Sequence, residues 1–346
     1  MSNPFNISFG KEPSRIIART SQVNKVIETF TSEIPSTQAY MITGVRGSGK
    51  TVTMTYIEHL LAKDSSWIVT PLNPNMNLLE SMAAHLCEHN ELKAAFIKAN
   101  INVSLFNVSV SFGAEKPAST TEVQLLKMLQ IVKKLNKKVL ITIDEVVKNT
   151  SMIEFASSFQ TFIREDYPVF LLMTGLFENI RNLQNENTLT FLYRTPRIEL
   201  KPLGIVGMMN NYKEVFDISD AEAEEMAKFT KGYSYAFQTL GYIKWENNRP
   251  LEKLIPEFDS MMEDFVYEKI WSELSAGDRK VILALAKNGG KMRTKDVQNA
   301  TGNTSSSFST YRKRLSEKGL IDTSDYGYVE LSLPRFGDVV RLYEVQ

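Results

Sequence analysis

The residues with the clearest chemical purpose are Gly44-Val45-Arg46-Gly47-Ser48-Gly49-Lys50-Thr51, a glycine-rich turn ending in lysine and threonine. The spacing is G-x-x-x-x-G-K-[ST], and it stands where a phosphate-binding turn must stand, after an apolar run (39–43) and before a helical pattern (51–63). Glycines let the backbone wrap an anion with its amide hydrogens turned inward, at the positive end of the following helix. In that setting Lys50 is placed to reach the β- and γ-phosphates of a nucleoside triphosphate, and the Thr51 hydroxyl to complete a magnesium site. A second apolar run, 139–143, ends in Asp144-Glu145. Asp144 is the expected carboxylate beside the magnesium. Glu145 is the natural general base, aligning a water on the γ-phosphate, which favours hydrolysis over transfer to a small acceptor.

Such residues need a scaffold, and the pattern supplies one. Strand-like runs at 39–43, 67–70 (stopped by Pro71), 139–143, 169–174 and 197–200 alternate with helical patterns at 51–63, 77–99, 123–135 and 151–164. That alternation predicts a parallel sheet covered on both faces. Residues 101–112 alternate with period two around Asn107, a hairpin signal, and 113–121 reads as a loop. From 204 to about 270 the strands stop, and helical spacing at 222–229, 235–246 and 251–270 predicts a small helical subdomain. From 271 onward the order is three helices (278–287, 294–300, 306–318) and two strands (320–323, 328–333) around Tyr326-Gly327, the winged helix-turn-helix arrangement. The expected domains are 1–203, 204–270 and 271–346.

Composition bounds the class. The 346 residues carry 40 basic and 40 acidic side chains, so no global charge draws the chain to nucleic acid and any such affinity must be local. The one cysteine, Cys87, excludes an internal disulfide and fits a reducing compartment. No signal-like or membrane-length apolar run occurs, and the expected location is cytoplasmic. His85, Cys87 and His89 lie on one helical pattern with the two histidines at i and i+4, a spacing that can hold zinc, but no third and fourth ligand is apparent and a packing face is the better reading.

The local basic stretch lies near the end. Lys291, Arg293, Lys295, Arg312, Lys313, Arg314 and Lys318 are opposed within 291–318 by Asp296 and Glu317 alone. The third helix offers Ser306, Thr310, Tyr311, Arg312, Lys313 and Arg314 for contacts to phosphates and base edges. Winged helices also dock proteins, so a protein partner stands as the alternative to DNA.

The turn at Gly44–Thr51, the strand ending in Ile143-Asp144-Glu145 and the strand ending in Met173-Thr174-Gly175 together resemble the AAA+/STAND P-loop ATPases, in particular the archaeal-type and origin-recognition ATPases that carry a C-terminal winged helix. The resemblance implies an ATPase using ATP and Mg2+, with slow turnover compatible, and a sheet in the order 5-1-4-3-2. It implies a γ-phosphate sensor at Thr174, which a plain strand-end threonine explains equally well. It implies a nucleotide-touching arginine near Arg194, for which Arg197 and Arg181 are rivals. The stretch 13–23, with Arg15 and Arg19, is similar to the family segment that packs near the adenine. The helical segment Gly232–Gly241 is similar to the lid of the archaeal-type group but holds no arginine to act as a second sensor, which leaves ring assembly unsupported. The leading functional expectation is an ATP-driven switch presenting the winged helix to DNA. The alternative is a STAND-like signalling or defence ATPase docking a protein, and a metabolic kinase is disfavoured for want of an acceptor site.

Overall fold

A computed structural model describes residues 2–8, 17, 19–101, 118–186 and 189–344. Arg15 and, apart from Ile101, the hairpin expected at 101–112 lie outside the described residues. The chain divides into two compact units, one formed by Thr20–Thr43 with Lys50–Glu199, the other by Met1–Arg19, Gly44–Gly49 and Leu200–Gln346.

The first unit is an α/β layer structure. Its elements are α1 (Thr20–Thr31), β1 (Ala39–Thr43), α2 (Lys50–Leu61), β2 (Trp67–Leu72), α3 (Leu78–Glu88), α4 (Asn90–Lys98), α5 (Ala118–Lys134), β3 (Lys138–Ile143), α6 (Thr150–Arg164), β4 (Val169–Gly175), α7 (Phe177–Gln184), α8 (Thr190–Arg194) and β5 (Arg197–Glu199). The five strands are parallel in the order β2-β3-β4-β1-β5, which read from the other edge is 5-1-4-3-2. β1 and β4 are buried along their whole length, which explains why they read as unbroken apolar runs rather than alternating ones.

Two local expectations are corrected. Pro71 does not stop its strand: β2 continues to Leu72, and Pro71 pairs in register with Thr142. β2 is an edge strand, where a missing amide hydrogen on the outer side goes unnoticed. The helical pattern at 77–99 is two helices, because His89 takes an extended backbone (φ −73°, ψ 112°) that closes α3 and opens α4. Each half buries its own stripe, Leu78, Met82 and Leu86 in α3, Leu92 and Phe96 in α4.

The second unit is helical with a small sheet. It holds α9 (Ile205–Phe216), α10 (Asp220–Phe229), α11 (Ser234–Asn247), α12 (Leu251–Met262), a π-turn (Glu263–Tyr267) and α13 (Glu268–Ser272). These are followed by α14 (Ala276–Lys287), β6 (Lys291–Arg293), α15 (Thr294–Thr301), α16 (Ser305–Glu317), β7 (Ile321–Asp322), β8 (Tyr328–Leu331) and α17 (Phe336–Leu342). The strands form an antiparallel sheet in the order β6-β8-β7, completing a winged helix. One apolar core runs through the unit, from Phe5, Tyr212 and Phe237 to Phe308, Leu315 and Phe336. The pattern at 251–270 is therefore interrupted by a π-turn, and α9, β6 and α17 are elements that periodicity did not reveal. Among the described residues no helix is long and apolar enough to cross a membrane.

Candidate nucleotide site

In the sheet unit, α2 opens at Lys50, whose side chain is buried. One residue on, the Thr51 hydroxyl donates to Asp144 Oδ2 at 2.7 Å. The opposite oxygen, Oδ1, accepts from the Thr174 hydroxyl, and Thr174 Oγ1 accepts from the Glu145 amide at 3.1 Å. Parallel pairing produces this convergence: β3 lies beside β4, so their C-terminal ends deliver Asp144 and Thr174 side by side. Val146 also donates its amide to the Thr174 carbonyl at 2.9 Å. Glu145 is exposed and sits at φ 52°, a left-handed conformation sparsely used by residues other than glycine. The two hydrogen bonds on either side hold that backbone in place.

Glu58 was not singled out by motif. It lies on α2, seven residues after Thr51, and therefore on the same helix face. Burial raises its carboxyl above the usual value, and the neighbouring Asp144 charge adds to the rise, against lowering contributions from Thr142 and His59. Arg194 is not brought to this cluster. It precedes β5 and lines a cavity with Gln38, Ala39 and Pro196, at the strand-start edge of the sheet. Its rival Arg197 lies over the Phe177 ring at 5.2 Å.

In the helical unit, the loop Gly44–Gly49 is held by an unusual set of donors. Gly47 and Gly49 have positive φ (76° and 89°), and Ser48 donates its amide to the Val45 carbonyl at 3.1 Å. The Tyr233 hydroxyl donates to the Arg46 carbonyl, the Tyr235 amide to the Gly47 carbonyl at 3.1 Å, and the Ser234 hydroxyl to the Ser48 carbonyl at 3.0 Å. Arg19 Nη2 also donates to the Ser48 carbonyl at 3.0 Å and to Ser234 Oγ at 3.2 Å, while Nη1 donates to the Lys201 carbonyl. Burial lowers the Arg19 guanidinium to about 10, which leaves it charged at neutral pH. The winged helix reaches the same loop. The Arg46 guanidinium pairs with Glu273 at 3.2 Å, and a Cβ placed on Gly319, just after α16, would lie 3.2 Å from that of Val45.

The basic face of the winged helix is less bare than its sequence. Arg314 is bidentate on Asp278 Oδ1 (2.7 and 3.0 Å) and lies over the Tyr311 ring, which packs against Gly277. Lys291 pairs with Asp325 at 2.8 Å. Asp278 and Asp325 fall outside the 291–318 window, so the fold cancels charge that the window leaves uncancelled. Ser306, Thr310 and Lys313 remain exposed along one rank of α16, Arg312 is half-buried, and Tyr326 at the tip of the wing is 98% exposed.

Residues 264–340 match a family model described as a domain of unknown function, DUF8462. No curated protein matches the sequence. Among solved structures, the Walker-type ATPase of Pyrococcus abyssi superposes with a TM-score of 0.64 at 12% identity, over 97% of this chain and 99% of that one. The ORC2 protein of Aeropyrum pernix, solved as ADPNP-ADP complexes, superposes with a TM-score of 0.62 at 13% identity, over 98% of each chain. At these identities the likeness is one of fold. The chain has the fold of the AAA+ P-loop ATPases: a 5-1-4-3-2 parallel sheet, a helical lid and a C-terminal winged helix.

Proposed function

We propose that the protein binds and hydrolyses ATP and uses the bound nucleotide to switch how its winged helix is presented to DNA. The observation that carries the nucleotide reading is the hydrogen-bonded run Thr51–Asp144–Thr174–Glu145 at the head of α2, directly after the glycine loop in the chain. Lys50 then neutralises the terminal phosphates. The donor set fits magnesium, because a hydroxyl and a carboxylate oxygen 2.7 Å apart are hard ligands of the kind that ion takes. Bound there, magnesium supplies charge neutralisation at the phosphate oxygens. Glu145, exposed on a braced backbone, accepts the proton of the attacking water. Thr174 keeps Asp144 and Glu145 in fixed relation.

The switch reading is supported by the contacts of Val45 with Gly319 and of Arg46 with Glu273, which join the phosphate loop to the winged helix within one unit. A γ-phosphate can shift that arrangement only by interacting differently with its two states. DNA is favoured by the exposed Ser306, Thr310 and Lys313 rank, with Arg312 beside it. A second reading, docking of a protein partner, is favoured by the pairing of Arg314 and Lys291 with carboxylates and by the bare Tyr326 at the wing tip.

Fluorescence anisotropy of a labelled random-sequence duplex decides between them. DNA binding predicts salt-sensitive association that changes with ATP and magnesium. Absence of binding by protein that binds ATP moves the assignment to a protein partner.

A further inference from the structure

α11 begins without a side-chain cap: its N-cap residue is Tyr233, which offers no acceptor to the first-turn amides. The Gly47 carbonyl takes that role for the Tyr235 amide. The arrangement does not stop at one bond. The carbonyls of Arg46, Gly47 and Ser48, three successive residues of the glycine loop, each accept from one of three successive residues: from the Tyr233 hydroxyl, the Tyr235 amide and the Ser234 hydroxyl. Arg19 adds a charged donor to the last of them. Burial pushes the Tyr233 phenol well above its usual range, so it stays protonated and donates throughout the working pH range.

Local backbone chemistry makes this contact possible. Lys231 and Gly232 both have positive φ (49° and 75°), and this left-handed pair turns the chain from α10 into α11 so that Tyr233–Tyr235 face the loop. On the other side Gly47 must be glycine, since a Cβ there would lie 2.3 Å from the Tyr233 hydroxyl oxygen. In a planar trans peptide the N–H of one residue points opposite to the C=O of the residue before it. Holding the Arg46 and Ser48 carbonyls toward Tyr233–Tyr235 therefore turns the Gly47 and Gly49 amides the other way, the orientation a concave anion nest requires.

We infer that Tyr233, Ser234 and Arg19 are positioning residues that preorganise the phosphate loop, holding its amides in the anion-binding orientation before nucleotide arrives. The inference rests on the phosphate-site reading above. It assigns to the Gly232-Tyr-Ser-Tyr segment a role in setting affinity for the diphosphate part of the ligand, and it couples α11 to the loop although Gly232–Gly241 holds no arginine.

The test uses the full chain. Tyr233→Phe removes one donor with little change of shape, and Ser234→Ala removes another without leaving a large hole. Two quantities are read: hydrogen–deuterium exchange of peptides covering 44–51 in the nucleotide-free protein, and affinity for fluorescent ADP. Each variant is expected to exchange faster at 44–51 and to bind ADP about tenfold more weakly, the effect of one hydrogen bond. Should Tyr233→Phe fail to fold by circular dichroism, Ser234→Ala decides. Wild-type ADP affinity and exchange in Ser234→Ala would overturn the clamp and leave the phosphate site standing. Failure of the wild-type protein to bind ADP would remove the phosphate site, and the clamp with it.

Discussion

Arg314 and Asp278 are bound to each other through two hydrogen bonds to one carboxylate oxygen, with the Asp278 side chain only 2% exposed. Asp278 also accepts from the Ser275 hydroxyl that caps α14. The guanidinium in the middle of the basic helix is thus part of the winged helix's own architecture. Removing Arg314 leaves the buried Asp278 carboxylate without its charged partner, so Arg314→Ala is expected to cost about 1–3 kcal/mol of stability. Chemical denaturation measures this directly. Lys313→Glu, on the exposed rank, should leave stability nearly unchanged while weakening any DNA affinity.

Gly232 provides a backbone prediction. Its φ is 75°, and a Cβ would lie 2.7 Å from the Leu203 carbonyl oxygen and equally close to Pro202. Leu203 also donates its amide to the Gly232 carbonyl at 2.7 Å. Gly232→Ala should destabilise the protein by about 1–3 kcal/mol through a strained φ and the clash. It should loosen 44–51 in hydrogen exchange, because Tyr233–Tyr235 follow directly.

Glu58 predicts a pH dependence. Its folded carboxyl titrates above the unfolded value, chiefly because of burial. Such a group favours folding while protonated. That contribution is complete below the unfolded value and is lost as pH rises through the folded one. Glu58→Gln should therefore raise the melting temperature at pH 7 by about 1–3 °C and have little effect at pH 4. A lower melting temperature for the variant at pH 7 would contradict this sign.

The strand-end cluster predicts a separation of effects. Thr174→Val removes the donor to Asp144 and the acceptor for the Glu145 amide while keeping the volume. Turnover should fall about 10- to 100-fold through loss of one or two hydrogen bonds to charged or braced groups. ADP affinity should change far less, since the phosphate loop itself is untouched.

The parts of this site that were legible in the sequence are those whose chemistry fixes a local spacing. Gly44–Thr51 must be contiguous to wrap a phosphate, and Asp144 must end an apolar strand. Parallel pairing of β3 with β4 then makes Thr174 a neighbour of Asp144. What escaped is what depends on distant partners. The resemblance named the segments of Arg19 and Tyr233, but the two residues meet the loop from far apart in the chain, and no spacing shows that they hold its carbonyls. The inward turn of Tyr311 and Arg314 depends on Gly277 and Asp278 in another helix. Glu58 looks like an ordinary polar position on a helix until the sheet covers its face. Arg194 shows the converse: its place before β5 was clear, but only the strand direction reveals that it stands at the opposite edge of the sheet from Asp144.

Gly44–Thr51 as the seat of ATP and Glu145 as the base beside it can be tested together. The most direct measurement is phosphate release from ATP with magnesium, run beside ADP binding, for wild type, Lys50→Ala and Glu145→Gln. Wild type is expected to turn over ATP, and Lys50→Ala to bind ADP at least about tenfold more weakly, as loss of a charge-assisted contact requires. Glu145→Gln is expected to bind nucleotide without releasing phosphate. Wild-type turnover by Glu145→Gln would refute the assignment of the base, and unaltered nucleotide binding by Lys50→Ala would refute the site.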